Sequence, residues 1–218
     1  MKSCVQVEVT PPLATAFLTR PPTGAAIDAR GWSDIERAFR ALSDRDDVRC
    51  VVVRGMIPAL AWPARSNAGP RDPAMERALA AIRTCKQPTV AVIEGLCTGA
   101  ALEIAACCDL RVCGESSRFG EPLALPPRSP AAPEHLTPLL QAAPLARLLG
   151  GGALLDALAR GEVIDAAGAL ASGLVQRVAP DGRVVERAYA LAARVAAGAP
   201  LVNPWHKRLV RRLEGLGS

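Results

Sequence analysis

One acidic side chain stands out by its setting. Glu103 closes the stretch Gly95-Leu-Cys-Thr-Gly-Ala-Ala-Leu-Glu103 and is flanked by Leu102, Ile104 and Ala105. Burial among such neighbours is the setting in which a carboxylate becomes an acid–base group. The alternative is a structural carboxylate retained with the fold. Ala100 precedes Glu103 by one helical turn, which puts the two on one face, about 4.5 Å apart along the axis. The first N–H groups of a helix have no internal acceptor. Such donors hold a developing oxyanion. A backbone N–H and a carboxylate can therefore address one small group.

The local sequence supplies the elements this pairing needs. Gln87-Pro-Thr-Val-Ala-Val-Ile93 is a β-branched apolar run opened by a proline, which predicts a buried strand. Gly95 and Gly99 break it, and Ala100 to Cys108 is rich in helix formers. Upstream, Val5 to Thr10 alternates as an amphipathic strand, Pro11-Pro12 turns it, and Leu13 to Thr19 predicts the second strand of a hairpin. Asp28 is a cap for a helix over 29–43 with Trp32, Ile35, Phe39 and Leu42 on its core face. Val48 to Arg54 predicts a strand buried on both faces. A proline-rich loop follows from Gly55 to Pro73, then a helix to Cys85 with Met75, Leu79 and Ile82 on one side. Leu110 to Cys113 predicts a strand and Glu115 to Gly120 a connector. Asp165 caps a helix that Gly173 ends. A helix over 182–198 turns Val184, Ala188, Leu191 and Val195 inward. Pro204 to Leu213 carries Lys207, Arg208, Arg211 and Arg212, read as a solvated basic face. Strands alternating with helices at this density predict an α/β fold with right-handed crossovers.

The totals bound the function. A chain of 218 residues is long enough for one large domain with a substantial core. Aromatics are only 3 % of it, so the core is expected to be Ala, Leu and Val. The net charge of +5 is scattered until the tail and has no aromatic stacking face beside it, so nucleic-acid binding is not expected. It suits an anionic small molecule as well as it suits a basic protein with none. The seven cysteines show no metal-ligand spacing and sit in apolar runs. They read as reduced core residues of a cytoplasmic protein with no bound metal. The N-terminus has no signal-peptide pattern, and no apolar run reaches the ~20 residues of a membrane span, so no membrane partner is expected.

The segment from Pro88-Thr-Val-Ala-Val-Ile-Glu-Gly-Leu-Cys-Thr-Gly-Ala-Ala-Leu-Glu to Cys108-Asp109, followed by Ser117-Arg-Phe-Gly-Glu-Pro122, resembles the signature of the crotonase (enoyl-CoA hydratase/isomerase) superfamily. A second match runs from Leu145 to Pro180, carried by Leu155-Asp-Ala-Leu-Ala-Arg-Gly through Gly173-Leu-Val to Pro180. The resemblance covers Val5 to Pro204 and implies a crotonase-like spiral of ββα units with shortened C-terminal helices. Its domain organisation would be a spiral core over 1–180 and a truncated helical region over 181–218. It implies an acyl-CoA or acyl-carrier thioester as substrate, with coenzyme A as part of the substrate and no permanently bound cofactor. It also implies a homo-oligomer, a trimer or hexamer. By position, Ala64 and Ala100 supply the oxyanion N–H groups and Glu103 the acid–base carboxylate. Trp62, Arg65, Gly99, Leu123 and His135 fall where the substrate is bound.

Departures from the pattern shape the expected chemistry. The family's glycine and aspartate around Ala64 are Pro63 and Arg65 here. Proline lacks an N–H, but Ala64 keeps its own. Arg65 is either solvated or a contact for a coenzyme A phosphate. The second glutamate of family hydratases is Leu123, and an aliphatic side chain transfers no proton. Glu121 and His135 are either its replacements or ordinary surface residues. Typical relatives also continue beyond the position of Ser218, which implies a more open site or one covered by a partner. The resemblance therefore implies either a one-carboxylate isomerase or lyase rather than an efficient hydratase, or a catalytically weak thioester-binding protein that assists a partner enzyme.

Overall fold

The computed structural model describes residues 3–19, 27–55, 61–62, 72–120, 148–160, 163–198 and 202–213. Its centre is a six-stranded sheet in the order β1-β2-β3-β5-β7-β10. β1 (Val5–Thr10) and β2 (Leu13–Leu18) form the expected antiparallel hairpin, with a cis peptide at Pro11-Pro12. β3 (Cys50–Gly55), β5 (Thr89–Ile93), β7 (Leu110–Gly114) and β10 (Arg177–Ala179) continue it in parallel. The central strands β3 and β5 are buried on both faces, and their successive residues alternate between two separate cores. Val51, Val53, Ala91 and Ile93 face one core, and Cys50, Val52, Val90 and Val92 the other.

The first core is covered by helices α1 (Ala29–Ser43), α2 (Pro73–Thr84) and α3 (Gly99–Cys107). Asp28 caps α1 as its sequence predicts, its Oδ1 accepting from the Gly31 N–H at 2.7 Å. Trp32, Ile35, Phe39 and Leu42 are all buried. Asp72 does the same for α2, where Pro73 sits at the first helical position. The core is richer in large side chains than the composition suggests, with Trp32, Phe39, Phe119 and Ile35, Ile82, Ile93 fully buried.

The chain also builds a smaller sheet that its local pattern does not announce. β4 (Ala61–Trp62), β6 (Leu96–Thr98) and β8 (Arg118–Phe119) run parallel, and β9 (Ile164–Asp165) closes the sheet antiparallel to β8. The predicted proline-rich loop, glycine turn and connector thus each contain a short strand. Each strand is two or three residues long, too short to show a period, and is fixed by pairing with distant segments.

Four α-helices follow in the described chain: α4 (Gly151–Arg160), α5 (Ala166–Ala171), α6 (Val184–Ala196) and the final α7 (Val202–Leu213). α5 starts at the Asp165 cap and ends before Gly173, whose φ of 78° is the left-handed conformation a glycine tolerates. α6 covers the second core. Its inward face is Val184, Ala188, Ala192 and Ala196, every fourth residue. Leu191 and Val195, expected inward, are only partly buried at its flanks, because small residues allow closer approach to the sheet. The basic tail also differs from the expected solvated face. Lys207 and Arg211 turn inward onto Asp109, while Arg208 and Arg212 stay exposed. Among the described residues no helix is long and apolar enough to cross a membrane.

Candidate functional site

The site is organised at the carboxyl edge of β5. After Ile93 the chain turns through Gly95, with φ of 70°, and enters β6 in the small sheet. It turns again at Gly99, with φ of 54°, and starts α3. A left-handed residue at this corner needs glycine, because a Cβ there meets its own carbonyl. The corner aims the start of α3 at the small sheet.

The first turn of α3 is unusual in lacking a side-chain cap. Thr98 holds the capping position in extended backbone, but its hydroxyl accepts no capping hydrogen bond. The opening N–H groups, those of Gly99 and Ala100 among them, precede any possible intrahelical acceptor. Both residues are half-buried. The rest of α3 is apolar all round and buried from Ala101 to Cys107, as befits a helix running through the core. Glu103 is carried into that interior at 8 % exposure. It is the only acidic residue of the helix. Its place one turn from Ala100 is the one the spacing predicts.

The second structural contribution is the pairing of β4 with β6. Ala61 lies opposite Thr98 in parallel register. β4 therefore runs in the same direction as β6, which leads into Gly99 and Ala100. The backbone of Trp62 belongs to this strand. Ala64 and Arg65, which follow it, lie outside the described residues, as do Leu123, His135 and Glu121. On the other side of β6, Arg118 donates its N–H to the Gly95 carbonyl at 3.1 Å and Gly120 to the Cys97 carbonyl at 3.2 Å. β4, β6 and β8, each from a stretch singled out by sequence, thus run in one direction through the small sheet.

Nearby charges are paired. Arg54, at the end of β3, lies 3.6 Å from the Glu94 carboxylate and 5.9 Å from the centre of the Phe17 ring. The seven cysteines are all free, and six are buried. Burial pushes the thiols of Cys50, Cys97 and Cys108 up to about 12 and that of Cys113 to about 11. At neutral pH they are un-ionised packing groups, poor nucleophiles and poor ligands.

A second polar cluster, missed by sequence reasoning, lies at the far end of α3. The Asp109 carboxylate accepts from Thr89 N at 2.8 Å and Thr89 Oγ1 at 2.9 Å. It also pairs with Lys207 Nζ at 2.7 Å and Arg211 Nη2 at 2.9 Å. Lys207 additionally donates to the Gln87 carbonyl at 3.1 Å. One carboxylate therefore ties the start of β5, the end of α3 and helix α7 together. The i, i+4 spacing of Lys207 and Arg211 is visible in the sequence, but their partner is not.

The comparisons with known proteins agree on one relationship. The family pattern described as enoyl-CoA hydratase/isomerase matches residues 12–214. Probable enoyl-CoA hydratase EchA17 of Mycobacterium tuberculosis is 32 % identical over 202 residues, covering 86 % of this chain and 72 % of that protein. Probable enoyl-CoA hydratase 2, mitochondrial, of Arabidopsis thaliana is 28 % identical over 206 residues. This alignment takes in 88 % of the chain but spans only 65 % of the plant protein's length. Among solved structures, an enoyl-CoA hydratase/carnithine racemase from Magnetospirillum magneticum superposes with a TM-score of 0.81 at 33 % identity, covering 98 % of this chain and 82 % of that one.

Proposed function

Because the chain belongs to the enoyl-CoA hydratase/isomerase family, we propose that it binds an acyl-CoA or acyl-carrier thioester and stabilises an enolate-type intermediate at the start of α3. In this reading the N–H groups of Ala100 and Ala64 hold the thioester oxygen as negative charge develops on it. Glu103 removes a proton from the carbon chain and returns it elsewhere on the same chain. The observation that carries the reading is the capless first turn of α3, set beside the Ala61–Thr98 strand pairing, with the buried Glu103 one turn inside.

Helix-start amides in a water-poor setting stabilise oxyanions better than water does, because they are fixed before the charge appears. A single buried carboxylate can shuttle one proton, which suffices to move a double bond. Adding water across a double bond calls for a second proton-transfer group, and Leu123 stands where the family's second glutamate belongs. Isomerisation is therefore favoured over hydration. Leu123 also supports a second reading, a thioester-binding protein with little catalysis of its own. Trp62, Arg65, Gly99 and His135 are proposed to line the acyl and pantetheine path. Assembly into a trimer or hexamer and a cytoplasmic location belong to the same proposal, the latter suiting a chain whose thiols are all free.

The test is turnover of 3-enoyl-CoA and crotonyl-CoA, with acyl-CoA binding measured alongside. Isomerisation lost in Glu103→Gln, with acyl-CoA binding retained, supports the enzyme. Saturable binding without turnover in the native chain supports the second reading. An absence of binding and of turnover sinks both.

A further inference from the structure

A cavity of about 340 Å³ opens at the far end of α3, between that helix, the start of β7 and α7. It is separated from Gly99 by the whole length of α3, about 12 Å at 1.5 Å per residue, and belongs to none of the chemistry proposed above. Arg111, Lys207 and Arg211 line it together with a single carboxylate, that of Asp109. Ala106, Leu110, Leu148 and Val210 form its apolar wall.

The donor inventory of this cavity is unbalanced. Arg111 is 2 % exposed. Its Nε donates to the Leu174 carbonyl at 2.6 Å, and its Nη1 to the carbonyls of Cys108 at 2.7 Å and Ala105 at 3.3 Å. Its Nη2 has no acceptor among the described residues. Lys207, whose side chain is 8 % exposed, spends two of its three donors on Asp109 and Gln87. Arg211 uses Nη2 on Asp109 and has no other acceptor among the described residues. Three cations thus line the cavity with one acid, and among the described lining residues two positive charges have no counter-charge. Burial without a partner is costly for a charge. Desolvation already lowers the proton affinity of Arg111.

We propose that this cavity is a binding site for a small oxyanion, a carboxylate or phosphate group, held by Nη2 of Arg111 with Lys207 and Arg211. A guanidinium N–H and an ammonium N–H each donate a charge-assisted hydrogen bond to an oxygen of either group. The apolar wall admits a short aliphatic tail on a carboxylate, and the charge excess suits a phosphate dianion. Since Lys207 and Arg211 both belong to α7, an occupant bridges that helix to the body of the protein.

The experiment is calorimetric titration of the full chain with inorganic phosphate in one arm and hexanoate in the other, at constant ionic strength against chloride. Saturable binding in either arm is expected, and the arm that saturates identifies the head group. Arg211→Gln should weaken it about tenfold, the loss of one charge-assisted contact. Ala106→Met, which fills the cavity and leaves every charge in place, should abolish it. If Ala106→Met does not fold, Arg211→Gln decides alone. No saturable binding in either arm below about 10 mM, or binding indifferent to Arg211→Gln, overturns the proposal. The second outcome would mark phosphate held elsewhere on the chain.

Discussion

Replacing Asp109 with asparagine tests the attachment of α7 at a single point. The carboxylate uses both oxygens, Oδ2 toward Thr89 and Lys207 and Oδ1 toward Arg211. An asparagine of the same shape offers one oxygen. With that oxygen on Thr89, its NH₂ faces the Arg211 guanidinium, donor against donor. One charge-assisted hydrogen bond is lost, worth about 1.5–3 kcal/mol. Lys207, with a side chain 8 % exposed, keeps only the Gln87 carbonyl and a neutral amide. Breaking a fully buried pair costs about 3–5 kcal/mol. The side chains of Asp109 and Arg211 are 19 % and 17 % exposed, and the lysine stem can swing outward, so the lower end applies. A loss of about 3 kcal/mol lowers Tm by about 6–12 °C in a chain of this size. Thermal melts at fixed salt measure it. Asp47→Asn, which breaks the open Arg45–Asp47 pair with side chains 44 % and 45 % exposed, is the control and should leave Tm unchanged. A fall of under about 3 °C for Asp109→Asn, about 1 kcal/mol, would refute the view that this carboxylate anchors α7.

Glu103→Gln should lower isomerase turnover by about 10²–10⁴ while leaving Tm equal or higher, since it removes a buried ionisable group; a lower Tm with unchanged turnover would make the residue structural. Gly99→Ala forces a Cβ into φ of 54° and should cost about 1–2 kcal/mol, with turnover falling more than acyl-CoA affinity. Asp28→Ala removes the cap on Gly31 and should cost about 1 kcal/mol, read by urea denaturation. The buried thiols set the alkaline limit. Their native values of about 11 to 12 stand above the ordinary 9.0, so only the unfolded chain releases these protons as pH rises past 9. Stability contributed by the neutral thiols is full below that pH and is lost progressively between pH 9 and 12. Urea melts at pH 8 and pH 10 should show the fall. A thiol reagent at pH 8 should label Cys4 first in the native chain, the other six cysteines being buried.

Much of this fold is legible locally, and the reason is the length of its elements. Helix α1 declares itself through Asp28 and the spacing of Trp32, Ile35, Phe39 and Leu42. β3 and β5 do so through uninterrupted β-branched runs. Glu103 and Ala100 are readable as a pair because one helix carries both. The small sheet is not, since β4, β6 and β8 are too short to show a period and depend on partners far along the chain. The amide expected from Ala64 lies outside the described residues. Asp109 is hidden for the same reason as the small sheet. Lys207 and Arg211 look like a solvated stripe until the fold brings them to a carboxylate about a hundred residues earlier. α6 shows packing distance overriding hydrophobicity, with Ala192 and Ala196 seated deeper than Leu191 and Val195.

The three-residue β6 has a consequence for the order in which the protein matures. Its neighbours on either side, β4 and β8, are made well before and well after it during synthesis, and β9 later still. The hairpin and the long parallel strands can collapse onto α1 and α2 while the ribosome is still extending the chain. The corner at Gly99 acquires its final surroundings only once β8 and β9 have emerged and docked. Ligand recognition at that corner should therefore appear late and all at once, and amino-terminal fragments ending before Arg118 should collapse yet remain blind to thioesters.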